Sequence, residues 1–441
     1  MKRIAVVGMG YVGAVVAASL ASVGHEVIGV EIDRSRLESL RAGIVPFHEP
    51  GLAELITAQQ ERGALQFTDS YESAMKGTEV VFLCVGTPSM PDGNPDTTHV
   101  ESAVRSISEW ITNPVVIVTK STVPIGSGRW LNELIDDERV SVVSNPEFLR
   151  EGTALQDFLH PDRVVLGSDD PAPIATLVDV YRPIIEQSFT GGKPDHRPGL
   201  VRTNLETAEI VKYAANAFLA MKISFINEVA MLADAVGADV TEVATAIGMD
   251  QRIGSSFLGA GIGWGGSCFG KDLAALQATA RSHGLESLIT GAVVAVNERQ
   301  VDYVVGKLGD QLDLTGAKIA LLGLAFKPGT DDLRDAPSLK VARRFIDSGA
   351  TVTAYDPVVT SVPDLPEMAI APTWNEAVSG ADATVVVTEW DEFLSMNLAT
   401  LADKMAGDLF VDARNAFDIA SATDAGLKYI GIGRAAHPPQ G

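Results

Sequence analysis

Short apolar runs alternate with helical periodicity from the first residues of the chain. Strand-like runs fall at Arg3–Val7, Glu26–Val30, 79–85, Val115–Thr119 and Val140–Ser144. Helical patterns lie between several of them. This alternation predicts a parallel sheet with helices on both faces. Arg163–Gly167 reads as a further strand, and the Gly/Pro-rich stretch 190–199 as an exposed loop or boundary.

A long helix is predicted next. Thr203 and Glu206 have capping-box spacing. No glycine or proline interrupts the chain until Gly237, which suits a helix end. About 33 residues at ~1.5 Å each would span roughly 50 Å. A helix of that length connects domains or builds an oligomer interface. Its apolar positions, among them Val211, Ala215, Phe218, Phe225 and Ile226, spread around the circumference and predict burial on more than one side. The strand and helix alternation then restarts, with strand-like runs at 318–323, Thr351–Tyr355, 383–387 and 409–411 and a helical pattern over 337–348. The fold class is α/β. Two Rossmann-like, doubly wound domains, 1–200 and 301–441, are joined by a central helical region, 201–300, that holds the long helix.

Charge narrows the partners. The 441 residues carry 57 acidic against 34 basic side chains, a formal charge of −23. Nucleic acid and anionic membranes call for the opposite sign, so neither is expected. An anionic ligand would have to meet local positive groups. No apolar run approaches the ~18 residues of a membrane span. The N-terminus, interrupted by glycines and soon followed by Glu26 and Glu31, reads as a first strand and not a signal segment. Two cysteines in so long a chain point to the cytoplasm. The seven histidines show no metal-ligand spacing, so no metal is expected.

Gly8-Met9-Gly10-Tyr11-Val12-Gly13 follows the first strand and opens a helix. Gly8 permits the tight turn, Gly10 lets a pyrophosphate approach the backbone, and Gly13 allows close helix–sheet packing. The helix N-terminus favours phosphate charge. Glu31, at the end of the second strand, suits a ribose diol and repels a 2′-phosphate, which favours NAD over NADP. Arg36 nearby weakens that exclusion slightly.

The second concentration of chemistry is the glycine-rich stretch 259–272, which contains Cys268. A helical pattern starts around Lys271 and Asp272 and runs to about Ser282. Cys268 therefore sits at or just before a helix N-terminus, where the macrodipole and Lys271 favour the thiolate. Asp272 is near enough to accept a proton. Cys84, inside an apolar run, reads as core. Lys212 and Asn216 are i,i+4 neighbours on the long helix and could hold an oxyanion or a water. The Lys120–Pro124 segment ends a strand at the carboxyl edge where cofactors sit. Residues 145–151 also follow a strand and set Glu147 and Glu151 four apart.

Together these segments resemble the UDP-glucose 6-dehydrogenase family, within the UDP-glucose/GDP-mannose dehydrogenases. The resemblance is carried by GMGYVG at 8–13, KSTVP at 120–124, NPEFLREG at 145–152, KYAANAFLAMKISFINE at 212–228, GWGGSCFGKD at 263–272 and GLAFKPGTDDLR at 323–334. They span almost the whole chain in order. The resemblance implies an NAD-binding domain at 1–200, a dimerising central domain at 201–300 and a UDP-sugar-binding domain at 301–441. It implies a cytoplasmic homodimer that oxidises UDP-glucose to UDP-glucuronate, a four-electron reaction using NAD twice.

By the same resemblance, Lys212 and Asp272, with a water, handle the proton and oxyanion of the first oxidation, beside Asn216. Cys268 attacks the aldehyde to give a thiohemiacetal, and the second hydride transfer leaves a thioester. Glu147 acts as acid and base in hydrolysis, and Thr122 positions water. NAD contacts fall on the 8–13 turn (Gly8, Gly10, Tyr11, Val12, Gly13) and on Glu31, Arg36, Thr87, Thr122, Glu151, Lys271 and Arg334. Sugar-nucleotide contacts fall on Glu147, Phe148, Leu149, Arg150, Glu151, Lys212 and Asn216. They continue through Phe257, Leu258, Gly259, Ala260, Gly261, Gly265 and Lys327. Arg252 resembles a residue that reaches across the dimer interface, and Arg414 is a further phosphate candidate. Lys327 and Arg334 supply local positive charge.

The chain departs from the family pattern at Glu31, where aspartate is usual, at Trp264, where phenylalanine is common, at Gly270, and in a longer loop over 190–199. Three alternatives stay open: another sugar nucleotide such as GDP-mannose, a two-electron hydroxyacid dehydrogenase, and a non-catalytic NAD-binding protein.

Overall fold

The computed structural model describes residues 1–434. The chain divides into two compact units. One comprises Met1–Ala215 with Ala274–Leu285, the other Asn216–Leu273 with the residues from Glu286 on. The central region expected at 201–300 is thus shared between them.

The first unit holds strands β1 (Arg3–Val7), β2 (Glu26–Val30), β3 (Leu65–Thr68), β4 (Val80–Leu83), β5 (Val115–Thr119), β6 (Val140–Ser144), β7 (Arg163–Gly167) and β8 (Gly199–Thr203). They form one sheet in the order β3-β2-β1-β4-β5-β6-β7-β8. The first six are parallel in the 3-2-1-4-5-6 order of dinucleotide-binding sheets. β7 joins β6 antiparallel at Ser144 and Gly167, and β8 runs parallel to β7. Alternating residues feed two cores. Ile4 and Val6 pack on one face of the sheet, Ala5 and Val7 on the other. Strands buried on both faces read as unbroken apolar runs, which is why β1 and β5 stand out in the sequence.

The second unit holds β9 (Lys318–Leu322), β10 (Thr351–Tyr355), β11 (Ala369–Ile370), β12 (Ala383–Val386), β13 (Leu409–Asp412) and β14 (Lys428–Gly431). Their order, β11-β10-β9-β12-β13-β14, repeats 3-2-1-4-5-6 in parallel. Ile319 and Leu321 feed one core, Ala320 and Leu322 the other. Truncating one such side chain, as in Ile319→Ala, would cost about 2–5 kcal/mol.

The helix Leu205–Val236 joins the units covalently. Its start differs from the expectation. Thr203 closes β8, and Asn204 caps the helix by accepting from the Thr207 amide at 2.9 Å. The strand pairing of β8 takes Thr203 away from the helix. The C-terminal end is as expected: Gly237 has φ +75° and the Ala238 amide returns to the Ala233 carbonyl. The first turns bond into unit 1, where the Tyr213 hydroxyl donates to the Val123 carbonyl at 2.7 Å. Glu209 there accepts from the Gly126 and Gly128 amides. Later turns bond into unit 2 through Ser224 and Asn227.

Burial on more than one side of this helix is not found. Ile226 is fully buried, but Phe218 is 58% and Phe225 53% exposed. With Ile210, Leu232 and Val236 they form an exposed apolar stripe at helical spacing, because one seam of the helix is used inside the chain and the other face is left uncovered.

Candidate active site

Three chain segments meet at the carboxyl edge of the first sheet. In the turn after β1, Gly8 has φ +90°, and a Cβ there would lie 2.9 Å from the Val85 backbone. A Cβ on Gly13 would be 1.8 Å from the Gly8 carbonyl oxygen, so only glycine lets the helix Tyr11–Ser22 start this close to the sheet. A Cβ on Gly10 would meet nothing within 4 Å. That open approach to a helix N-terminus suits a pyrophosphate. Val12 packs partly buried on the core of this helix.

Glu31 follows β2 and is buried. Its carboxylate accepts from the Met9 amide at 3.2 Å and the Asp33 amide at 2.9 Å, and pairs with Arg36 at 3.1 Å. Arg36 is therefore spent on Glu31. Tyr11 and the Gly152 amide both bond Glu49, a buried carboxylate that ties the dinucleotide turn to the 145–152 loop. Thr87 donates to the Thr122 carbonyl at 2.7 Å, joining the loops after β4 and β5. These residues fit a bound dinucleotide.

Lys212, on the long helix, pairs with Glu147 at 2.8 Å, and both side chains are buried. Burial alone would raise the Glu147 carboxyl. The Lys212 ammonium, its hydrogen bond, the Leu149 amide and the Lys120 charge together bring it below the ordinary carboxylate range. Phe148 lies under the Arg163 guanidinium, 3.8 Å from the ring centroid. Arg150 is turned outward and held by Asp157 through two nitrogens, and Glu151 is half-buried. Cys84 is buried, its thiol pushed up to about 12 by desolvation, in keeping with a core role.

In the second unit Cys268 immediately precedes the helix Phe269–Ser282, and its carbonyl accepts from the Asp272 amide at 2.9 Å. The helix begins two residues earlier than its sequence pattern suggested. The thiol is in no disulfide, half-buried and 3.6 Å from the Ser267 hydroxyl. Asn216 donates to the buried Asp272 carboxylate at 2.6 Å, and Lys271 lies 3.8 Å from the same group. Asn216 thus bonds Asp272, and Lys212 bonds Glu147.

The loop before Cys268 is built from inside. Phe257 holds φ +64°, unusual for a bulky residue. Leu258 and Ala260 are core residues. Gly261 bonds Asn227 and Gln300, while the Trp264 backbone bonds both ends of the Asn297 amide. Trp264 is buried, donates to Ser224 and packs edge-on against Phe269. A Cβ on Gly265 would lie 2.3 Å from the Asp335 carbonyl oxygen, whereas one on Gly259 would meet nothing. Sequence reasoning missed Asn227, Asn297 and Gln300. Their only signal was polar residues at otherwise apolar helix positions.

The cations expected at the ligands and at the dimer interface lie against protein groups. Arg334 pairs with Asp332, and Arg252, highly exposed, pairs with Asp250. Arg414 donates to the Val387, Gly263 and Phe326 carbonyls and meets Glu389 at 3.2 Å. Lys327 lies 5.7 Å from the centroid of the Phe326 ring.

Three family models match the chain in order. They are the NAD-binding domain of the UDP-glucose/GDP-mannose dehydrogenase family at residues 2–185, its central domain at 206–299 and its UDP-binding domain at 320–419. The chain belongs to the UDP-glucose/GDP-mannose dehydrogenase family. The dehydrogenase is 43% identical over 445 residues to a UDP-glucose 6-dehydrogenase of Rhizobium meliloti, covering 98% of this chain and 99% of that one. It is 41% identical over 448 residues to UDP-glucose 6-dehydrogenase YwqF of Bacillus subtilis, covering 100% and 99%. The solved UDP-glucose dehydrogenase of Pyrobaculum islandicum superposes with TM-score 0.89 at 37% identity, covering 99% and 98%. NAD is accordingly the cofactor of the dehydrogenase, and no helix among the described residues is long and apolar enough to cross a membrane.

Proposed function

We propose that this chain oxidises UDP-glucose to UDP-glucuronate through a thioester on Cys268. The observation that carries this reading is the half-buried thiol at the N-terminal edge of the helix Phe269–Ser282, in a glycine-rich loop. The UDP-glucose 6-dehydrogenases to which the chain is similar support the choice of sugar nucleotide.

NAD, when bound, accepts the hydride in each of the two oxidations. The chain's own groups do the rest. Lys212 and Asp272 serve the proton and the oxyanion when the primary alcohol becomes an aldehyde, with Asn216 fixing the Asp272 carboxylate. The Cys268 thiolate then adds to the aldehyde carbon. The tetrahedral carbon so formed carries the hydrogen that leaves as the second hydride, and a thioester remains on Cys268. Water, held near Thr122, attacks the thioester carbon. Its proton passes to the Glu147 carboxylate, the carbon–sulfur bond breaks, and the thiolate and the carboxylic acid are released. Glu147 is ionised and ready to accept that proton.

The proposed contacts with NAD are the 8–13 turn, Glu31, Arg36, Thr87, Thr122, Glu151, Lys271 and Arg334. The proposed contacts with the sugar nucleotide are 147–151, Lys212, Asn216, 257–261, Gly265, Lys327 and Arg414. The proposed assembly is a homodimer through the exposed stripe Phe218, Phe225, Leu232 and Val236, with Arg252 at the interface.

The test is NADH formed per UDP-glucose consumed. The native chain should give two and release UDP-glucuronate. Cys268→Ser should bind NAD normally and stall after one. Two NADH from Cys268→Ala, or turnover of GDP-mannose in preference to UDP-glucose, would overturn the reading.

A further inference from the structure

Lys120 follows β5, and its backbone amide bonds the Leu83 carbonyl at 3.0 Å. Its side chain is only 5% exposed. It runs between two aromatic walls, with Nζ 5.7 Å from the Phe158 centroid and 5.8 Å from that of Tyr181. The ammonium makes no hydrogen bond or ion pair with any described residue. A buried cation left so is unfavourable, and leucine or methionine would fill the same space without that penalty.

The same lysine lines a cavity of about 20 Å³, enough for one water. Glu147, Lys212, Thr122, Ser144 and Glu209 line it too. The other titratable neighbours are Lys212, Cys84, Tyr181 and Glu209. The Cys84 thiol is pushed up to about 12 by burial, and the Tyr181 phenol, also raised by burial, donates to Asn145. Glu209 is raised by burial and faces three donors of its own, the Gly126 and Gly128 amides and the Ser144 hydroxyl. Glu147 is thus the carboxylate on which the Lys120 charge acts.

The proposed chemistry gives this charge a purpose. Lys212 neutralises Glu147 at 2.8 Å in the structure. During oxidation the Lys212 ammonium is drawn to the reacting oxygen, and Glu147 would lose its partner shortly before it must accept a proton. We propose that Lys120 is a positioning residue for the hydrolytic step: its buried ammonium keeps Glu147 ionised while Lys212 is engaged elsewhere. This rests on the reading of Glu147 as the hydrolytic base. Burial pulls Lys120 down to about 8, against the pull of Glu147, so the charge is present at neutral pH.

The experiment compares native chain, Lys120→Met, Lys120→Gln and Glu147→Gln, using UDP-glucose and NAD. It records kcat against pH, the KM of each substrate, the fraction of protein held as thioester after acid quench, and thermal stability. Both Lys120 variants should move the acid limb of kcat up by about one pH unit, a tenfold loss on the limb. They should leave both KM values within about twofold, accumulate thioester, and recover native kcat at higher pH. Lys120→Met should melt no lower than the native chain. An unmoved acid limb, a loss that high pH does not restore, or failure of both variants to fold would overturn the inference. If Glu147→Gln accumulates no thioester, the reading of Glu147 falls instead. If it does while the Lys120 limb stays in place, the role of Lys120 alone falls.

Discussion

The Asn216 amide donates to the Asp272 carboxylate at 2.6 Å, linking the long helix to the helix that follows Cys268. Asp272 is 1% exposed, so the strength of this bond is not shared with bulk water. Asn216→Ala removes the donor and should cost about 1–3 kcal/mol. Unfolding by urea, followed beside the rate of the first NADH formed, checks both consequences. Asn216→Asp sets a second carboxylate against the first, and should be worse than alanine at neutral pH and improve on acidification.

Glu147 makes an acid-sensitive contribution to stability. Its carboxyl lies below the ordinary value of 4.5 in the folded chain, where burial is outweighed by the Lys212 ammonium and hydrogen bond, the Leu149 amide and the Lys120 charge together. A depressed carboxyl stabilises above its unfolded value, and loses that stabilisation as pH falls through the folded value. Glu147→Gln leaves Lys212 without this partner and should cost about 3–5 kcal/mol near pH 7. The gap between native and variant should narrow as pH drops below 4.5. A gap independent of pH would contradict this account.

Cofactor choice should respond to Glu31. Glu31→Ala removes both the expected ribose acceptor and the partner of Arg36. Loss of a hydrogen bond to a charged group is worth about 1.5–3 kcal/mol, so the KM for NAD should rise by about 10–100-fold. The released Arg36 guanidinium should make NADP a relatively better substrate. Initial rates with both cofactors decide this, and an unchanged ratio would show that Arg36 does not reach a 2′-phosphate.

The stripe on the long helix bears on assembly. Phe225→Asp puts a charge in the middle of an exposed apolar face and away from the described core. If that face pairs two copies, the variant should shift towards monomer in sedimentation or light scattering. A monomeric native chain would remove the basis for the homodimer.

Much of the fold was legible because parallel strands buried on both faces leave unbroken apolar runs. β3, β8, β11 and β14 escaped notice for the converse reason. β8 starts at the glycine that reads as the end of a loop and is largely exposed, and β11 has two residues. The capping error at Thr203 has the same origin, since nothing local announced the strand. At the site, residue types in glycine-rich loops stood out, but the pairings did not. Nothing local to Lys212 points to Glu147, since their contact depends on how the long helix meets the loop after β6. A Cβ on Gly261 or Gly265 would crowd the Ala413 or Asp335 carbonyl oxygen, a close approach between distant segments that the glycine-rich run alone does not reveal.

The second sheet repeats the first down to its turn. Gly323 after β9 has φ +97°, and Asp356 follows β10 at the place Glu31 holds after β2. The Asp356 carboxylate is filled by the chain itself. It accepts from the Leu324, Ala325, Val358 and Val359 amides and from the Trp390 indole. One architecture therefore appears twice with a buried acidic residue after its second strand, bonded by two amides and Arg36 in the first copy and by four amides and an indole in the second. In the second copy those bonds brace the turn after β9, and two places beyond Ala325 stands Lys327.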